Sequence, residues 1–426
     1  MKVAVDAEGS RIRTALAGEF RRVRAGSVAL SECVSAEDQV VQSMPDASPM
    51  KWHLAHTTWF FETFILRDHD ASYAAFDDAF AYLFNSYYEA EGPRHARPRR
   101  GLLTRPSLDR VLAYRRHVDT ALEALIDRCG ETSWRSVAPL VELGLAHEEQ
   151  HRELMLTDIL HLFSNNPLRP AFRSFRPHPA TEAPPLAWVE IEGGRHEIGH
   201  RGPGFAFDCE GPRHAVLLQD FRIASRPVTN EEWCAFIDDG GYRRAELWLS
   251  DGWATVRSEG WEAPLYWERD GRGWTSMTLS GMRPLDPGAP VCQVGPYEAD
   301  AFARWAGKRL PSEAEWEVAA RDAPPVGNGA GSGLLRPVPA DPAEGPLQQL
   351  FGDVWEITRS PFTPYPGFRP AAGAIGEYNG KFMSSQIVLR GGSCATPEGH
   401  TRTTYRNFFY PHQRWQFSGL RLADDA

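Results

Sequence analysis

Three histidines in the sequence have the type and spacing of ligands to a single metal ion. His147 and His151 stand four residues apart in LAHEEQHREL, so on a helix both imidazoles face the same side. His56, in LAHTTWFFE, occupies the apolar stripe of a second predicted helix. Its neighbour His53 lies off that stripe, and we assign it a structural role. Because imidazole binds iron, zinc, copper and nickel alike, these histidines predict a metal centre without naming the metal.

The segment HEEQH also matches the zinc-protease pattern H-E-x-x-H, in which Glu148 would act as the general base. The match is incomplete, because Thr157 stands where a metzincin places its third histidine. A zinc-dependent hydrolase or thiol transferase therefore remains an alternative use of this motif.

Four segments with helical periodicity would position these histidines. Ser48 is the predicted N-cap, and Pro49 the first residue, of the helix that carries His56. The other periodic segments are residues 12–30, 106–128 and 136–163. Such helices predict a four-helix bundle, whose centre is a usual place for a metal ion. The irregular stretch at about residues 68–105 is long enough to predict a functional loop.

The amino-acid composition and the hydrophobic periodicity of the sequence change after Phe163. Residues 166–185 are rich in proline and predict a linker. From residue 186 onward glycine, proline and tryptophan are frequent, and the helical segments are short. We therefore predict an α+β protein, with a helical domain over residues 1–165 and a second domain over residues 186–426 that has little regular secondary structure.

Composition excludes several classes of protein. The hydrophobic fraction of 42% and the charged fraction of 24% are typical of globular domains. A formal net charge of −10 argues against nucleic-acid binding. No stretch reaches the roughly 18 apolar residues of a membrane span, and the N-terminal residues do not resemble a secretion signal. We expect a cytoplasmic protein that acts on small molecules.

Motifs along almost the whole chain resemble known families. The first half resembles DinB-like bundles, and LAHTTWFFE with HEEQHRELM resembles the sulfoxide synthases of the ergothioneine pathway. The second half resembles the formylglycine-generating-enzyme fold, which is C-type-lectin-like, through RPVTNEEWCAFIDDGGY, ARWAGKRLPSEAEWEVAAR, FGDVWEITRSPF, VLRGGSCAT and RNFFYPHQRWQFSGLRLA. A formylglycine-generating oxidase needs a copper-binding cysteine pair after RGGS, where Cys394 stands alone. We therefore expect the second domain to keep that fold without its oxidase chemistry.

The resemblance implies an Fe(II) enzyme that uses dioxygen to join the sulfur of cysteine to C2 of the imidazole of hercynine, Nα-trimethylhistidine, giving a sulfoxide. It places the three iron ligands on His56, His147 and His151. In one branch of the family a tyrosine in the long loop of the bundle donates a proton or hydrogen atom, and NSYYEA resembles that branch. This catalytic role would fall on Tyr87 or Tyr88.

Further residues are implied as substrate contacts. Gln150, between two of the histidines, would bind the hercynine imidazole, and RNFFYP resembles the C-terminal substrate-binding segment of the family. The implied contacts in that segment are Asn407, Phe408 and Phe409. Aromatic faces also suit a quaternary ammonium group. Arg97 and Arg100, whose guanidinium groups match a carboxylate bidentately, are expected to bind the thiol substrate.

The sulfur donor is implied by residues that differ between branches of the family. The branch with NSYYEA uses free cysteine, whereas the branch with an aspartate at the position of Phe409 prefers γ-glutamylcysteine. Both features favour cysteine, with γ-glutamylcysteine as the alternative. A selenoneine synthase usually has a different helix motif, and the three inward histidines argue against a non-catalytic binding module.

Overall fold

The computed structural model describes residues 2–179, 182–271 and 273–426. The chain divides into two compact units. One unit comprises the residues up to Asn165 together with Gly373–Glu377, and the other comprises Asn166–Ala372 and Tyr378–Ala426. Helices build the first unit, whereas short strands and helices build the second, which confirms the predicted α+β class.

Long helices form the first unit. Its helices are α1 (Lys2–Ser31), α2 (Met50–Phe61), α3 (Arg67–His69), α4 (Ala79–Phe84), α5 (Leu108–Arg128) and α6 (Glu131–Asn165). Helix α1 packs against α6, and α2 packs against both α5 and α6, which confirms the predicted bundle. Every side chain of α2 is buried, as expected for a helix surrounded by its neighbours. Among the described residues, none of the helices has the length and apolar character needed to cross a bilayer.

Helix α2 begins one residue later than the sequence predicts. Pro49 is its N-cap, and the carbonyl oxygen of Pro49 accepts from the backbone N–H groups of Trp52 and His53. The prediction that Ser48 caps this helix is therefore wrong. The Ser48 hydroxyl instead accepts from Nη1 of Arg100 at 2.9 Å, because the loop that carries this arginine packs against the start of α2.

Helix α6 approaches α2 closely one turn before His147. A Cβ atom on Gly144 would lie 2.5 Å from Cε1 of Phe61, whose ring is fully buried. Because the packed interior leaves this ring no room to move, a larger residue would push the two helices apart. The glycine therefore allows α6 to bring its histidines up to α2.

The segment between α2 and α5 contains ordered polar contacts. A π-helical turn, Glu62–Leu66, continues α2. The carboxylate of Glu62 accepts hydrogen bonds from the hydroxyl groups of Tyr73 and Tyr114. The segment also contains 3₁₀ turns at Glu89–Glu91 and Arg97–Leu102. The stretch that the sequence predicts as a functional loop thus has a defined conformation.

The short segment Gly373–Glu377 belongs to the first unit although it lies far along the chain. The carboxylate of Glu377 accepts the backbone N–H groups of Glu89 and Ala90, each at 3.0 Å. These are the first N–H groups of the 3₁₀ turn that follows Tyr88, and a carboxylate is stabilising at such an N-terminus. The loop with the predicted catalytic tyrosines is therefore anchored by a distant part of the sequence.

Small sheets and short helices form the second unit. Its strands are β1 (Trp188–Ile191), β2 (Gly194–Ile198), β3 (His214–Leu218), β4 (Phe221–Ala224), β5 (Trp267–Asp270), β6 (Gly273–Thr278), β7 (Gly281–Pro284), β8 (Trp355–Pro361), β9 (Ile387–Arg390), β10 (Asn407–Phe409), β11 (Ser418–Gly419) and β12 (Ala423–Asp425). They form sheets with the strand orders β1-β4-β12, β10-β9-β8-β11, β2-β3 and β5-β6-β7. Its helices are α7 (Asn230–Asp238), α8 (Ser250–Glu259), α9 (Pro296–Trp305) and α10 (Glu313–Ala319).

Capping boxes begin two of the predicted helices of this unit. The Thr229 hydroxyl accepts from the N–H of Glu232, and the Glu232 carboxylate accepts from the N–H of Thr229 at the start of α7. Ser312 and Glu315 form the same pair of bonds at the start of α10. Helix α8 was not predicted, because SDGWATVRSE has few apolar residues to mark a buried face.

Aromatic side chains and buried ion pairs form the core of the second unit. Its largest buried side chains include Trp233, Trp316 and Trp355. Arg421 donates to Glu356 at 2.6 Å, and both side chains are fully buried. Within the segment predicted as a linker, Phe172 is also buried, and its N–H donates to the carbonyl oxygen of Leu279 at 2.9 Å. Part of that segment therefore packs as core.

Candidate metal centre

The structure brings the three predicted histidine ligands together between α2 and α6. One ring nitrogen from each of His56, His147 and His151 lies within 4.8 Å of the other two. All three side chains are buried. Imidazoles that converge in this way suit a divalent transition-metal ion, although they do not select one such ion over another.

The main chain orients the ring of His56. Its Nδ1 donates to the carbonyl oxygen of Phe84 at 2.6 Å, since a carbonyl can only accept. The lone pair of His56 is then on Nε2, which is buried and has no hydrogen-bond partner among the described residues. Because buried polar atoms are nearly always satisfied, this nitrogen fits a bond to a metal ion.

Burial favours the neutral form of all three rings. Desolvation lowers the pKa of His147 to about 3. Desolvation, followed by repulsion from His147, lowers the pKa of His56 and of His151 well below the usual range. Neutral imidazole is the form that binds metal ions, so at neutral pH no proton has to be displaced from these rings.

His53 lies beside His151 and outside the cluster of three. Its Nδ1 is 2.7 Å from Nδ1 of His151, and its Nε2 is 3.0 Å from Oδ2 of Asp158. Sequence reasoning gave His53 a structural role and missed this contact with a predicted ligand. The available signal was Asp158, which lies two helical turns after His151 and therefore on the same face of α6.

An aromatic stack surrounds His56. The rings of Trp52 and Trp59 stack on it with centroid separations of 4.6 and 5.6 Å. The guanidinium carbon of Arg100 lies 3.4 Å from the centroid of a Trp52 ring. Arg100 donates to two serine hydroxyls, and no carboxylate pairs with it in the described parts of the chain. A buried cation therefore lies one ring away from the histidine cluster.

The two arginines predicted to bind a carboxylate have different environments. Both belong to the 3₁₀ turn Arg97–Leu102. Arg100 is buried, and its Nε has no hydrogen-bond partner among the residues that the structure describes. Arg97 is exposed and donates to the carbonyl oxygen of Asp46. Arg100 is therefore the better placed of the two to meet an anion beside the histidines.

Tyr87 and Tyr88 form a stacked pair. Their ring centroids are 4.6 Å apart, and their hydroxyl oxygens are 3.5 Å apart. Tyr88 is fully buried, and its ring centroid lies 5.5 Å from that of Trp59, which stacks on His56. Asn85 holds this turn, because its side chain accepts from the N–H of Tyr88 and donates to the carbonyl oxygen of Tyr88. The pair thus lies on the Trp59 side of the cluster.

The predicted hercynine contacts are divided between the two units. Gln150 is half-buried on α6 in the first unit, between His147 and His151. Asn407, Phe408 and Phe409 form strand β10 of the second unit, which pairs with β9, and all three are half-buried. The ring of Phe408 stacks on that of Phe362 at 4.0 Å, so its orientation is fixed by packing.

Glu148 follows His147 in the sequence but lies in a different environment. Its carboxylate accepts from Arg24 at 2.8 Å, from Arg115 at 2.7 Å and from Ser27 at 2.6 Å. Burial opposes ionisation, but attraction to Arg115 and Arg24 outweighs it and lowers the pKa of Glu148 to about 2. A carboxylate held by two guanidinium groups is a poor general base, which argues against the zinc-protease interpretation.

The chain matches two family models. The DinB superfamily model matches residues 19–155. The model of the sulfatase-modifying factor enzyme 1-like domain matches residues 172–333 and 329–426. These matches confirm the two resemblances that the sequence motifs predict.

Mycobacterial relatives match the chain over nearly its whole length. Hercynine oxygenase of Mycolicibacterium thermoresistibile is 36% identical, and the match covers 90% of this chain and 88% of the relative. The hercynine oxygenase of Mycobacterium tuberculosis is 33% identical, over 96% of this chain and 98% of the relative. That of Mycolicibacterium smegmatis is 34% identical, over 97% of this chain and 99% of the relative. The chain therefore belongs to the hercynine oxygenase family.

Proposed function

We propose that this protein is an Fe(II)-dependent enzyme of ergothioneine biosynthesis that joins the sulfur of cysteine to C2 of the hercynine imidazole. One oxygen atom of O₂ enters the product as a sulfoxide and the other leaves as water, while the hydrogens of C2–H and S–H are lost. The observation that carries this proposal is the cluster of three buried imidazoles in a chain that matches hercynine oxygenases over nearly its whole length.

His56, His147 and His151 are the proposed ligands. The buried Nε2 of His56, which has no hydrogen-bond partner among the described residues, supports this assignment. Neutral imidazole is a suitable donor for Fe(II). When bound, the ion would supply the redox chemistry that activates dioxygen. The surrounding aromatic rings would keep water away from it.

Arg100 is the proposed partner of the cysteine carboxylate. Its guanidinium group is buried beside the histidine cluster, and no carboxylate of the described residues forms an ion pair with it. A substrate carboxylate would accept charge-assisted hydrogen bonds from this guanidinium group, and such bonds are stronger than neutral ones. Arg97, which is exposed, would contribute less.

Tyr87 and Tyr88 are the proposed proton or hydrogen-atom donors. Contact between the Tyr88 ring and Trp59 supports a position on the edge of the histidine cluster. A phenol placed there can donate a proton to the reacting oxygen, which is a form of general acid catalysis. The 3.5 Å separation of the two hydroxyl groups would allow one phenol to replenish the other.

Hercynine is proposed to bind through its imidazole and its trimethylammonium group. Gln150 would hydrogen-bond the imidazole. The proposed contacts on strand β10 are Asn407, Phe408 and Phe409. Aromatic faces attract quaternary ammonium groups, which supports a role for the two phenylalanines.

The proposed sulfur donor is cysteine, with γ-glutamylcysteine as the alternative. To test both the reaction and the donor, the full chain is loaded with Fe(II) under anaerobic conditions and given hercynine, air and one of the two thiols. Oxygen consumption and product mass are followed. We expect a product heavier than the hercynine–cysteine thioether by one oxygen atom, and a higher kcat/KM with cysteine.

Two results would contradict parts of this proposal. No product with either thiol would refute the proposed reaction, whereas a higher kcat/KM with γ-glutamylcysteine would refute only the choice of donor. Metal analysis of protein made without added metal addresses the remaining alternative. Stoichiometric zinc without oxygen consumption would favour the zinc hydrolase or thiol transferase.

A further inference from the structure

His53 is a buried histidine that contacts a proposed metal ligand without being one. The cluster of ring nitrogens within 4.8 Å of one another consists of His56, His147 and His151. His53 instead places its Nδ1 at 2.7 Å from Nδ1 of His151 and its Nε2 at 3.0 Å from Oδ2 of Asp158. Three side chains thus form a hydrogen-bonded row that ends on a carboxylate.

The chemistry of these groups sets the direction of each hydrogen bond. An ionised carboxylate can only accept, so the Nε2 of His53 carries a proton and donates it toward Asp158. With one proton on its ring, His53 has a lone pair on Nδ1. The Nδ1 of His151 must then be the donor, which leaves the lone pair of His151 on Nε2, the other ring nitrogen.

Asp158 is itself held in place by the main chain. The Oδ2 atom that faces His53 also accepts the backbone N–H of Ser48 at 2.8 Å. Ser48 precedes the first turn of α2, and His53 lies on that same helix. The orientation of His151 on α6 is therefore set by groups on α2 as well as on its own helix.

The comparison with His56 shows why this contact matters. His56 uses its Nδ1 in the same way, but its acceptor is the backbone carbonyl of Phe84, at 2.6 Å. A backbone acceptor survives any side-chain substitution. The acceptor for His151 is a side chain, so its contribution can be removed by mutation and measured.

We propose that His53 is a positioning residue that fixes the tautomer and ring orientation of His151, and that Asp158 fixes His53. This inference rests on the metal site proposed above. Partners of this kind, which accept from the second ring nitrogen of a ligand histidine, typically contribute about 10–100-fold to metal affinity. His53 would act through His151 and would not touch the ion.

The test uses Co(II) as the probe and the full chain as the protein. Apoprotein is titrated with Co(II) in competition with a chelator, which gives Kd and stoichiometry, and the ligand-field absorption of bound Co(II) is recorded. His53→Phe removes the acceptor and keeps an aromatic ring, whereas His53→Gln can retain an acceptor. The matched control is His161→Phe, since His161 also lies on α6 and hydrogen-bonds the Ser43 hydroxyl at 2.7 Å.

We expect His53→Phe to bind one Co(II) with a Kd raised about 10–100-fold and with a changed ligand-field spectrum. His53→Gln should recover most of the affinity, and His161→Phe should bind as wild type does. A role in folding alone would lower the free energy of unfolding of His53→Phe and leave both Kd and spectrum of the folded protein unchanged.

Several results would overturn the inference. An unchanged Kd and spectrum in His53→Phe would do so, and complete loss of stoichiometric Co(II) would show that His53 is a ligand. If His53→Phe does not fold, Asp158→Ala replaces it, and an unchanged Kd in that variant contradicts the proposal. If the wild-type protein binds no Co(II), the proposed metal site itself is refuted. If the wild-type protein binds Co(II) tightly and His53→Phe has the same Kd and spectrum, only the role of His53 is refuted.

Discussion

Two faces of helix α6 hold buried polar groups in opposite ways. On one face the carboxylate of Glu148 accepts from two arginines and a serine. On another, His147 and His151 converge on His56, whose Nε2 has no hydrogen-bond partner among the described residues. Burial alone therefore does not identify a functional group. A buried group with hydrogen-bonding capacity left unused is the stronger indication of a ligand site.

The largest expected effect is on the histidine face. His147→Ala should abolish stoichiometric iron and turnover, because it removes one of the three proposed ligands and so exceeds the about 10–100-fold cost of losing an outer partner. Iron content and oxygen consumption measure this. His161→Ala, further along α6, is the control and should keep both. Full activity with retained iron in His147→Ala would contradict the ligand assignment.

Substitution of Tyr87 and Tyr88 tests whether tyrosines also divide into those that act in the reaction and those that only stabilise the fold. Tyr87→Phe/Tyr88→Phe should lower kcat by about 10²–10⁴-fold, the usual contribution of a general acid, and leave iron content unchanged. Tyr114→Phe is the control, because the Tyr114 hydroxyl donates to the buried Glu62 carboxylate. That variant should lose stability and keep its kcat. Wild-type kcat in the double variant would remove both tyrosines from the mechanism.

On the face of α6 that carries Glu148, a substitution should lower the stability of the protein and leave metal binding unchanged. Glu148→Gln leaves Arg24 and Arg115 buried without their shared counter-charge, which should lower the free energy of unfolding by about 3–5 kcal/mol. Urea denaturation measures this loss, and iron stoichiometry of the folded variant should match wild type. Glu19→Gln is the control, since Glu19 and its partner Arg22 are both about half exposed, and it should cost less than about 1 kcal/mol.

One result with Glu148→Gln would contradict the proposed difference between the two faces of α6. If Glu148→Gln kept wild-type stability and metal content but lost all turnover, Glu148 would be a catalytic base. The zinc-hydrolase interpretation of HEEQH would then regain its general base, and the two faces of α6 would not differ in kind.

The smallest effect concerns Arg100, with which no carboxylate of the described residues forms an ion pair. Arg100→Met should lower kcat/KM for cysteine by about 10–150-fold, which corresponds to the about 1.5–3 kcal/mol of hydrogen bonds to a charged group. KM for hercynine should change little. Arg97→Met is the matched control, and its exposed guanidinium predicts a weaker effect. Equal losses in both variants would mean that the burial of Arg100 has no special role.

The meeting of His56, His147 and His151 was predictable because it depends on short-range periodicity. The spacing of His147 and His151, and the position of His56 on an apolar stripe, follow from the 3.6-residue repeat of a helix. A one-residue error in the start of α2 does not alter which residues share a face. The helical bundle could be predicted for the same reason.

The contacts around these three histidines could not be predicted in this way, because they depend on how two helices meet. The bond between His53 and His151 requires a particular rotation of α2 against α6, which no local pattern specifies. The different burial of Arg97 and Arg100 likewise depends on the packing of their turn against Trp52. In the second unit, buried pairs such as Arg421 with Glu356 look like surface charges in the sequence.

The segment Gly373–Glu377 has a consequence for the genetics of this protein. A gene fragment that ends at Asn165 encodes all the helices of the bundle but omits the carboxylate that binds the N–H groups of Glu89 and Ala90. Exchange of the C-terminal half between homologues would replace this anchor at the same time. Recombination that removes the carboxylate at position 377 should therefore leave these N–H groups without this acceptor and loosen the tyrosine-bearing loop.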